Sequence, residues 1–406
     1  MPGPLEGIRV LDLTRVQAGP YCSMILGDLG AEIIKIEPPE GDLTRRMPPH
    51  FYKGESSYFL AFNRNKKSVV LDLKTKDGLQ IFYDLVKLSD VVLDNFRPGV
   101  MERLNLTYEM LKEINSRIIS CSVTGYGETG PYRDKPSYDL MAQALSGGMS
   151  VTGEPGRPPV RMGVSMADLA GGMFAVQGIL AAYISRQRTG VGQRLDISLL
   201  DGQIALMTYL ASYYFISGEV PGPQGSGHLS AVPYGAFKTK DSYIVIAGAW
   251  AGLCEVLGIE ELATDPRFDT ITARVKNKKE LEAILSEIFI TQTTEEWLKL
   301  FDEEGIPASP VNRLDQALAD PHVLYRKMIL TLEHPLGGTI NLAGNPIKMP
   351  EVNEESYTPP PLLGQQTEQV LSELLGYSKE KIDRLRNDKI IEPRDPAGAS
   401  SRASLF

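Results

Sequence analysis

The chain has 406 residues, 42% of them hydrophobic and 23% charged, a balance that excludes a disordered or fibrous protein. Its 42 Lys+Arg against 51 Asp+Glu leave a net charge of −9, which excludes an overall basic nucleic-acid footprint but not a local cluster for an anionic small molecule. The opening MPGPLEGIRV has no charged segment followed by an apolar core, so no signal peptide is expected, and no apolar run reads as long enough to span a bilayer. Cys22, Cys121 and Cys254 are far apart and odd in number, which points to reduced thiols in a cytoplasmic protein. None of His50, His228, His322 and His334 has a neighbour at zinc spacing, so no metal is expected.

In chain order, the apolar run Ile8–Leu13 predicts a strand and Pro20–Leu29 a helix. Ala31–Glu37 predicts the next strand, stopped by Pro38 and Pro39. Strand, helix and strand follow at Ser68–Leu73, Asp77–Leu88 and Asp90–Asn95, and a further strand at Ile118–Thr124. Strands alternating with helices imply a parallel sheet joined by right-handed crossovers and covered on both faces, an α/β fold. In such sheets ligands lie beyond the carboxyl ends of the strands. Those ends carry the Gly/Pro-rich segments Thr14–Pro20, Glu37–Asp42, Asn95–Gly99 and Thr124–Gly127. No GxGxxG follows the first strand and no GxxxxGK[ST] occurs, which removes the main support for dinucleotide oxidoreductases and P-loop NTPases.

After Ser137 a short helix is expected over Tyr138–Leu145, then a Gly/Pro-rich stretch, then a long small-residue helix over Met166–Ile184. Glycines inside a helix cost stability, so these are expected to allow close packing. Arg194–Ile197 predicts a strand and Ser198–Ile216 one apolar helix. Gly218–Gly227 is the strongest linker signal, and a smaller α/β domain is expected over 218–327, the large one taking 1–217 and 328–406. The tail from Glu392 is expected to be an extended arm.

Two segments stand out chemically. Asp168 falls in the first turn of an otherwise apolar helix. It suits either a dipole-stabilising acid or a partly desolvated carboxylate nucleophile. Gly225-Ser226-Gly227-His228 suits either a plain linker or a mobile lid whose amides close over a reacting carbonyl, with His228 either solvated or an acid–base group.

PLEGIRVLDLTRVQAGPYCSMILGDLGAEIIKIEPPEGD, NRNKKSVVLDLK, NFRPGVMERL, ISCSVTGYGETGPY, SYDLMAQALSGGMSVTG, ADLAGG, VPYGAFKTKDSYIVIA and PPPLLGQQT, in this order, resemble the family III CoA-transferases. That group includes formyl-CoA, carnitine, succinate-hydroxymethylglutarate and benzylsuccinate CoA-transferases and the related α-methylacyl-CoA racemases. The resemblance runs from Pro4 to about Leu375. It implies a Rossmann-like large domain built from both chain ends, a smaller middle domain, and two chains interlocked as rings. It places Asp168 at the catalytic aspartate, Gly225 and Gly227 in a glycine loop, and Val16, Gln17 and Ala18 along the thioester and pantetheine. Leu71, Lys74, Asn95, Phe96, Arg103 and Lys135 fall at CoA-binding positions, with Tyr138 and His228 on the substrate side. Lys74 equally suits a solvated lysine at a helix entry. Arg45, Arg46, His50 and Arg161 are further substrate-side candidates. Where the family often has an arginine after the second strand, this chain has Pro38 and Pro39.

The resemblance divides into two chemistries. The racemases carry a His-Asp pair where this chain has Tyr138 and Asp139, and without the imidazole one of two proton-transfer groups is missing. The transferase reading needs a carboxylate nucleophile, Asp168, and an oxyanion site, for which the Gln17 amide and the Gly225 and Gly227 N–H groups are the candidate donors. It implies CoA thioesters as substrates, with succinyl-CoA as donor and a dicarboxylic acid as acceptor, and no permanently bound cofactor. A racemase, or a subunit of a hetero-oligomeric transferase, remains the alternative; the partner chain is either an identical copy or a close relative, with neither nucleic acid nor membrane involved.

Overall fold

The structure, a computed structural model, describes residues 3–351 and 357–394. The chain divides into two compact units, one of residues 1–148, 162–209 and 326–406, the other of 149–161 and 210–325. The expected small segment 218–327 lies almost entirely in the second unit, which also takes 210–217 and the Gly/Pro-rich stretch 149–161.

The first unit is built on six parallel strands: β1 (Arg9–Asp12), β2 (Glu32–Glu37), β3 (Lys66–Val70), β4 (Val91–Asp94), β5 (Ile119–Thr124) and β6 (Arg194–Ser198). Their order is β3–β2–β1–β4–β5–β6. The register sets Asp12 opposite Lys35 on one side and Leu93 on the other. The chain therefore winds outward twice from β1, and the crevice between β1 and β4 is the topological switch point where such folds bind ligands.

Strand alternation sends neighbouring residues into two different cores. Leu11, Ile34 and Val69 pack with Phe82 and Leu85 of the helix Lys76–Lys87, and with Leu371, Ile382 and Leu385 from the returning C-terminal segment. Val10, Ile33 and Leu93 pack on the opposite face with Cys22 and Leu26 of α1 (Ala18–Asp28) and Ala175 and Ile179 of the long helix Met166–Thr189. The large unit is thus made from both chain ends.

The long helix corrects one expectation. With 24 residues it is long and apolar enough, by length and composition, to cross a membrane, although no such run was anticipated. The mechanism is visible in its buried stripe of Ala167, Ala170, Gly171, Ala175 and Ile179, which forms part of the core of the first unit. Its glycines do permit close packing. A Cβ on Gly172 would stand 2.7 Å from the Ala18 carbonyl oxygen, and one on Gly171 would stand 2.5 Å from Leu199. The helix expected over 198–216 is instead two, Leu199–Leu206 and Thr208–Ser217. Thr208 has φ +37, a single-residue turn that apolar periodicity does not record.

The second unit holds three antiparallel strands, Tyr234–Lys238, Tyr243–Ala247 and Ala308–Pro310, with the middle one in the centre. Helices Trp250–Leu257, Lys278–Phe289 and Thr294–Glu303 complete its core around Phe237, Phe289, Trp297 and Phe301. Of the expected C-terminal arm, residues beyond 394 lie outside the described ones.

Candidate active site

Beneath the switch point lies a charged floor. Asp12, the last residue of β1, is fully buried. It accepts hydrogen bonds from the Thr14 amide and hydroxyl, the Ser23 hydroxyl and Lys66 Nζ. Burial alone would raise its pKa, but Lys66 and Lys35 outweigh that and hold it below the usual carboxylate range. Burial in turn pulls Lys66 down to about 8. Lys35 pairs with Asp42 at 3.0 Å and donates to the Thr14 carbonyl at 2.7 Å. Glu37 faces Arg45, whose guanidinium overrides the cost of burial and brings the carboxyl to about 2.

That floor holds the loop after β1. Asn95, just past β4, grips Arg15 from both sides, accepting from its backbone N–H at 2.9 Å and donating to its carbonyl at 2.7 Å. Val16 follows with φ +67, an unusual conformation for a β-branched residue. Gln17 then opens α1, and its side-chain Oε1 accepts from the Tyr58 hydroxyl at 3.0 Å. This bond orients the amide, so that Nε2 is left without a partner among the described residues. Tyr58 sits in the short helix Ser57–Phe62, and nothing in the sequence singles it out, since an aromatic in SSYFLAF reads as core.

Asp168 occupies the first turn of the helix Met166–Thr189. Its neighbour is a second carboxylate. Asp139, which opens the helix Asp139–Leu145, is buried and accepts from the amides of Ala167 at 2.8 Å and Asp168 at 3.4 Å. It therefore caps the long helix, while its own helix has no side-chain cap. Gln143 holds Asp139 in place through Nε2 at 2.7 Å and accepts from the Met162 amide through Oε1. Burial raises the Asp168 carboxyl to about 7, and the Asp139 charge adds to the rise. No hydrogen bond or cation reaches the Asp168 carboxylate among the described residues. Tyr58 registers both charges: burial, then Asp168 and Asp139, push its phenol to about 12. Gln17 lines a groove of about 830 Å3 together with Ser57, Ser165 and Leu169, the last two flanking the turn that carries Asp168.

A second cavity, about 110 Å3, lies over the carboxyl ends of β1 to β3. It is lined by Leu71, Lys74 and Phe96, by Arg15 and Pro38 from the strand-end segments expected to face a ligand, and by Leu104, which the sequence does not single out. Arg103 is exposed next to Leu104, and Lys135 is exposed with its ammonium 3.7 Å from the Tyr132 ring centroid. Tyr138 is exposed immediately before Asp139.

Other expected residues fall elsewhere. Gly225, Gly227 and His228 belong to the second unit. The Gly225 amide donates to the Gly153 carbonyl and the Gly227 amide to the Gln224 carbonyl, so of the anticipated oxyanion donors the two glycine-loop amides are engaged within that unit. His228 Nδ1 accepts from the Ser230 amide at 3.1 Å. Arg45 is buried between Glu37 and Glu55 and lies 3.8 Å from the Phe59 ring centroid, so it serves the floor and not a substrate. Arg46 donates to the Glu40 carbonyl, while His50 and Arg161 are exposed.

Comparison with known proteins adds an independent line. Residues 5–367 match the family described as CoA-transferase family III. A Mus musculus protein named succinyl-CoA:glutarate CoA-transferase is 43% identical over 397 residues, covering 97% of this chain and 91% of that protein. An Agrobacterium fabrum protein named succinate–glutarate CoA-transferase is 40% identical over 382 residues, covering 91% and 96%. The crystal structure of a CAIB/BAIF family protein from Brucella suis superposes with a TM-score of 0.83 at 37% identity, covering 92% of this chain and all of that one.

Proposed function

This chain belongs to CoA-transferase family III, and from that premise we propose that it carries CoA from succinyl-CoA to a dicarboxylic acid of the glutarate class, with Asp168 as the nucleophile. The observation that carries this reading is the Asp168 carboxylate itself, unpaired beside Asp139 at a helix start. An unpaired carboxylate of raised pKa is more basic and more nucleophilic than a salt-bridged one, while still ionising near neutral pH. The names of the relatives support the choice of donor and acceptor.

The steps balance without energy input. The Asp168 carboxylate attacks the thioester carbonyl, the C–S bond breaks, and CoA thiolate leaves behind a mixed anhydride. The thiolate then attacks the Asp168 carbonyl carbon, releasing the donor acid and leaving an aspartyl-CoA thioester. The acceptor carboxylate attacks that carbon and expels the thiolate. The thiolate returns to the acceptor acyl carbon, which gives the new thioester and regenerates the carboxylate. Each tetrahedral intermediate carries an oxyanion. The Nε2 of Gln17, whose amide Tyr58 orients, is assigned as its donor. Asp139 has no spare role in proton transfer, since its oxygens hold the two amides and Gln143.

Leu71, Lys74, Asn95 and Phe96 are assigned to CoA, and Val16 to Ala18 to the thioester end. A second copy of the chain is proposed as partner. The helix Thr208–Ser217 has no buried residue, and its Phe215 and Ile216 are 79% and 87% exposed, an apolar surface suited to burial in an assembly.

The deciding experiment is a matrix of succinyl-CoA and acetyl-CoA against mono- and dicarboxylic acids, with products read by mass spectrometry. Transfer from succinyl-CoA to five-carbon dicarboxylic acids is expected. Transfer only to monocarboxylic acids, or none, defeats the assignment.

A further inference from the structure

Buried arginines in the first unit face acids: Arg45 meets Glu37, Arg64 meets Asp28 and Arg186 meets Asp90. Arg15 differs. Its half-buried guanidinium donates no hydrogen bond and meets no carboxylate within ion-pair distance among the described residues. It lies over the Phe96 ring, 4.8 Å from the centroid, and lines the 110 Å3 cavity with Lys74 and Leu71. Burial pulls the Arg15 pKa below its ordinary value despite the charge of Asp42, which is already paired with Lys35.

The position is built. Both backbone groups of Arg15 are held by Asn95, the next residue is fixed at φ +67, and Lys35 anchors the Thr14 carbonyl just before it. A cation taken partly out of water and left without a counter-ion is costly unless a ligand supplies one. The ligand must then be anionic. A planar guanidinium fork matches the paired oxygens of a phosphate, and a site beyond the carboxyl ends of parallel strands is where phosphate-bearing ligands dock.

We propose that Arg15 binds a phosphate of the nucleotide end of CoA, its fork held against Phe96, with Lys74 supplying a second charge at the cavity mouth. The inference rests on the CoA-transferase reading for the identity of the ligand, and on the geometry of Arg15 for the residue.

Binding of CoA and dephospho-CoA is measured by calorimetry, and of pantetheine by displacement of CoA, with wild type, Arg15→Met and Arg15→Lys. The methionine keeps an apolar stem on Phe96 and removes the charge, whereas the lysine keeps the charge and loses the fork. Arg15→Met is expected to weaken CoA roughly ten- to a hundred-fold, the range for a charged hydrogen-bond pair, with pantetheine unaffected and Arg15→Lys intermediate. If the loss disappears with dephospho-CoA, the partner is the 3′-phosphate; if it persists there, the partner is the diphosphate. Equal weakening of pantetheine, or CoA binding unchanged in Arg15→Met, overturns the proposal. Calorimetry needs no turnover, so the two readings separate. A wild type that binds CoA but transfers nothing defeats the transferase reading and leaves Arg15 standing. A working transferase whose Arg15→Met variant binds CoA normally defeats Arg15 alone.

Discussion

Asp12 and Asp168 both belong to the first unit, and their surroundings are opposite. Asp12 lies on the floor under the β1 loop, ringed by Lys66, Lys35 and two hydroxyls, and is held ionised. Asp168 stands at a helix start with Asp139 beside it and no cation, and its pKa rises to about 7. The floor uses charge to fix a loop, because a salt-bridged carboxylate has its lone pairs committed and little basicity left. The unpaired carboxylate keeps both available for an electrophile. Burial alone therefore does not mark a reactive acid; burial without a counter-ion does.

The sharpest break in this contrast is Asp168→Ala. Transfer should fall by about three orders of magnitude or more while the protein still folds, since the covalent route is lost. Steady-state kinetics with far-UV dichroism as a folding check reads this. Incubation with acyl-CoA followed by hydroxylamine should also label Asp168 in wild type, and peptide mapping without an acyl-CoA-dependent adduct there removes the covalent step.

The floor should fail in the other currency, stability. Asp12→Ala leaves Lys66 without its carboxylate partner in a buried site, and removing one partner of such a pair costs about 3–5 kcal/mol. Urea denaturation measures the loss. A drop below about 1 kcal/mol would mean the floor is not the clamp described.

A pH series sharpens the difference. The nucleophile must be ionised, so kcat/KM should fall as pH drops through about 7. Asp139→Asn keeps an acceptor for the capping amides and removes the charge, so the acid limb should move to lower pH. The stability sign is opposite to that of a paired acid. A carboxyl whose folded pKa is raised favours folding below the ordinary carboxylate range, and that contribution is lost as pH climbs toward 7. Asp168→Asn should accordingly melt higher than wild type at pH 8, with the gap closing toward pH 5.

The smallest effect expected is that of Tyr58→Phe. It removes one hydrogen bond to Gln17, about 0.5–1.5 kcal/mol, and turnover should fall about two- to tenfold with acyl-CoA affinity unchanged. No change in kcat would show that Gln17 is oriented by something else.

Strand and helix order was legible in the sequence because the parallel strands are apolar on both faces and the turns between them carry Gly, Pro and Asn. Asp168 was legible only through its surrounding motif; by itself an acid in a first turn has a simpler use. Asp139 reads as the start of its own short helix, and its capping of a helix 28 positions away is a tertiary fact. Arg45 reads as a substrate-side cation because the pattern around it does not show that Glu37 and Glu55 close over it. The break at Met207 is hidden because both helices that flank it are apolar.

The grip of Asn95 on Arg15 joins residues 80 positions apart. It ties the strand at the centre of the first winding to the first strand of the second. A ligand held by that loop therefore reports on both halves at once. Saturation with CoA should slow hydrogen exchange at Arg15 and in the turn after β4 by the same factor, as one cooperative opening. Exchange mass spectrometry that protects one segment without the other would show that the two windings open independently, and that the crevice between them is a hinge and not a weld.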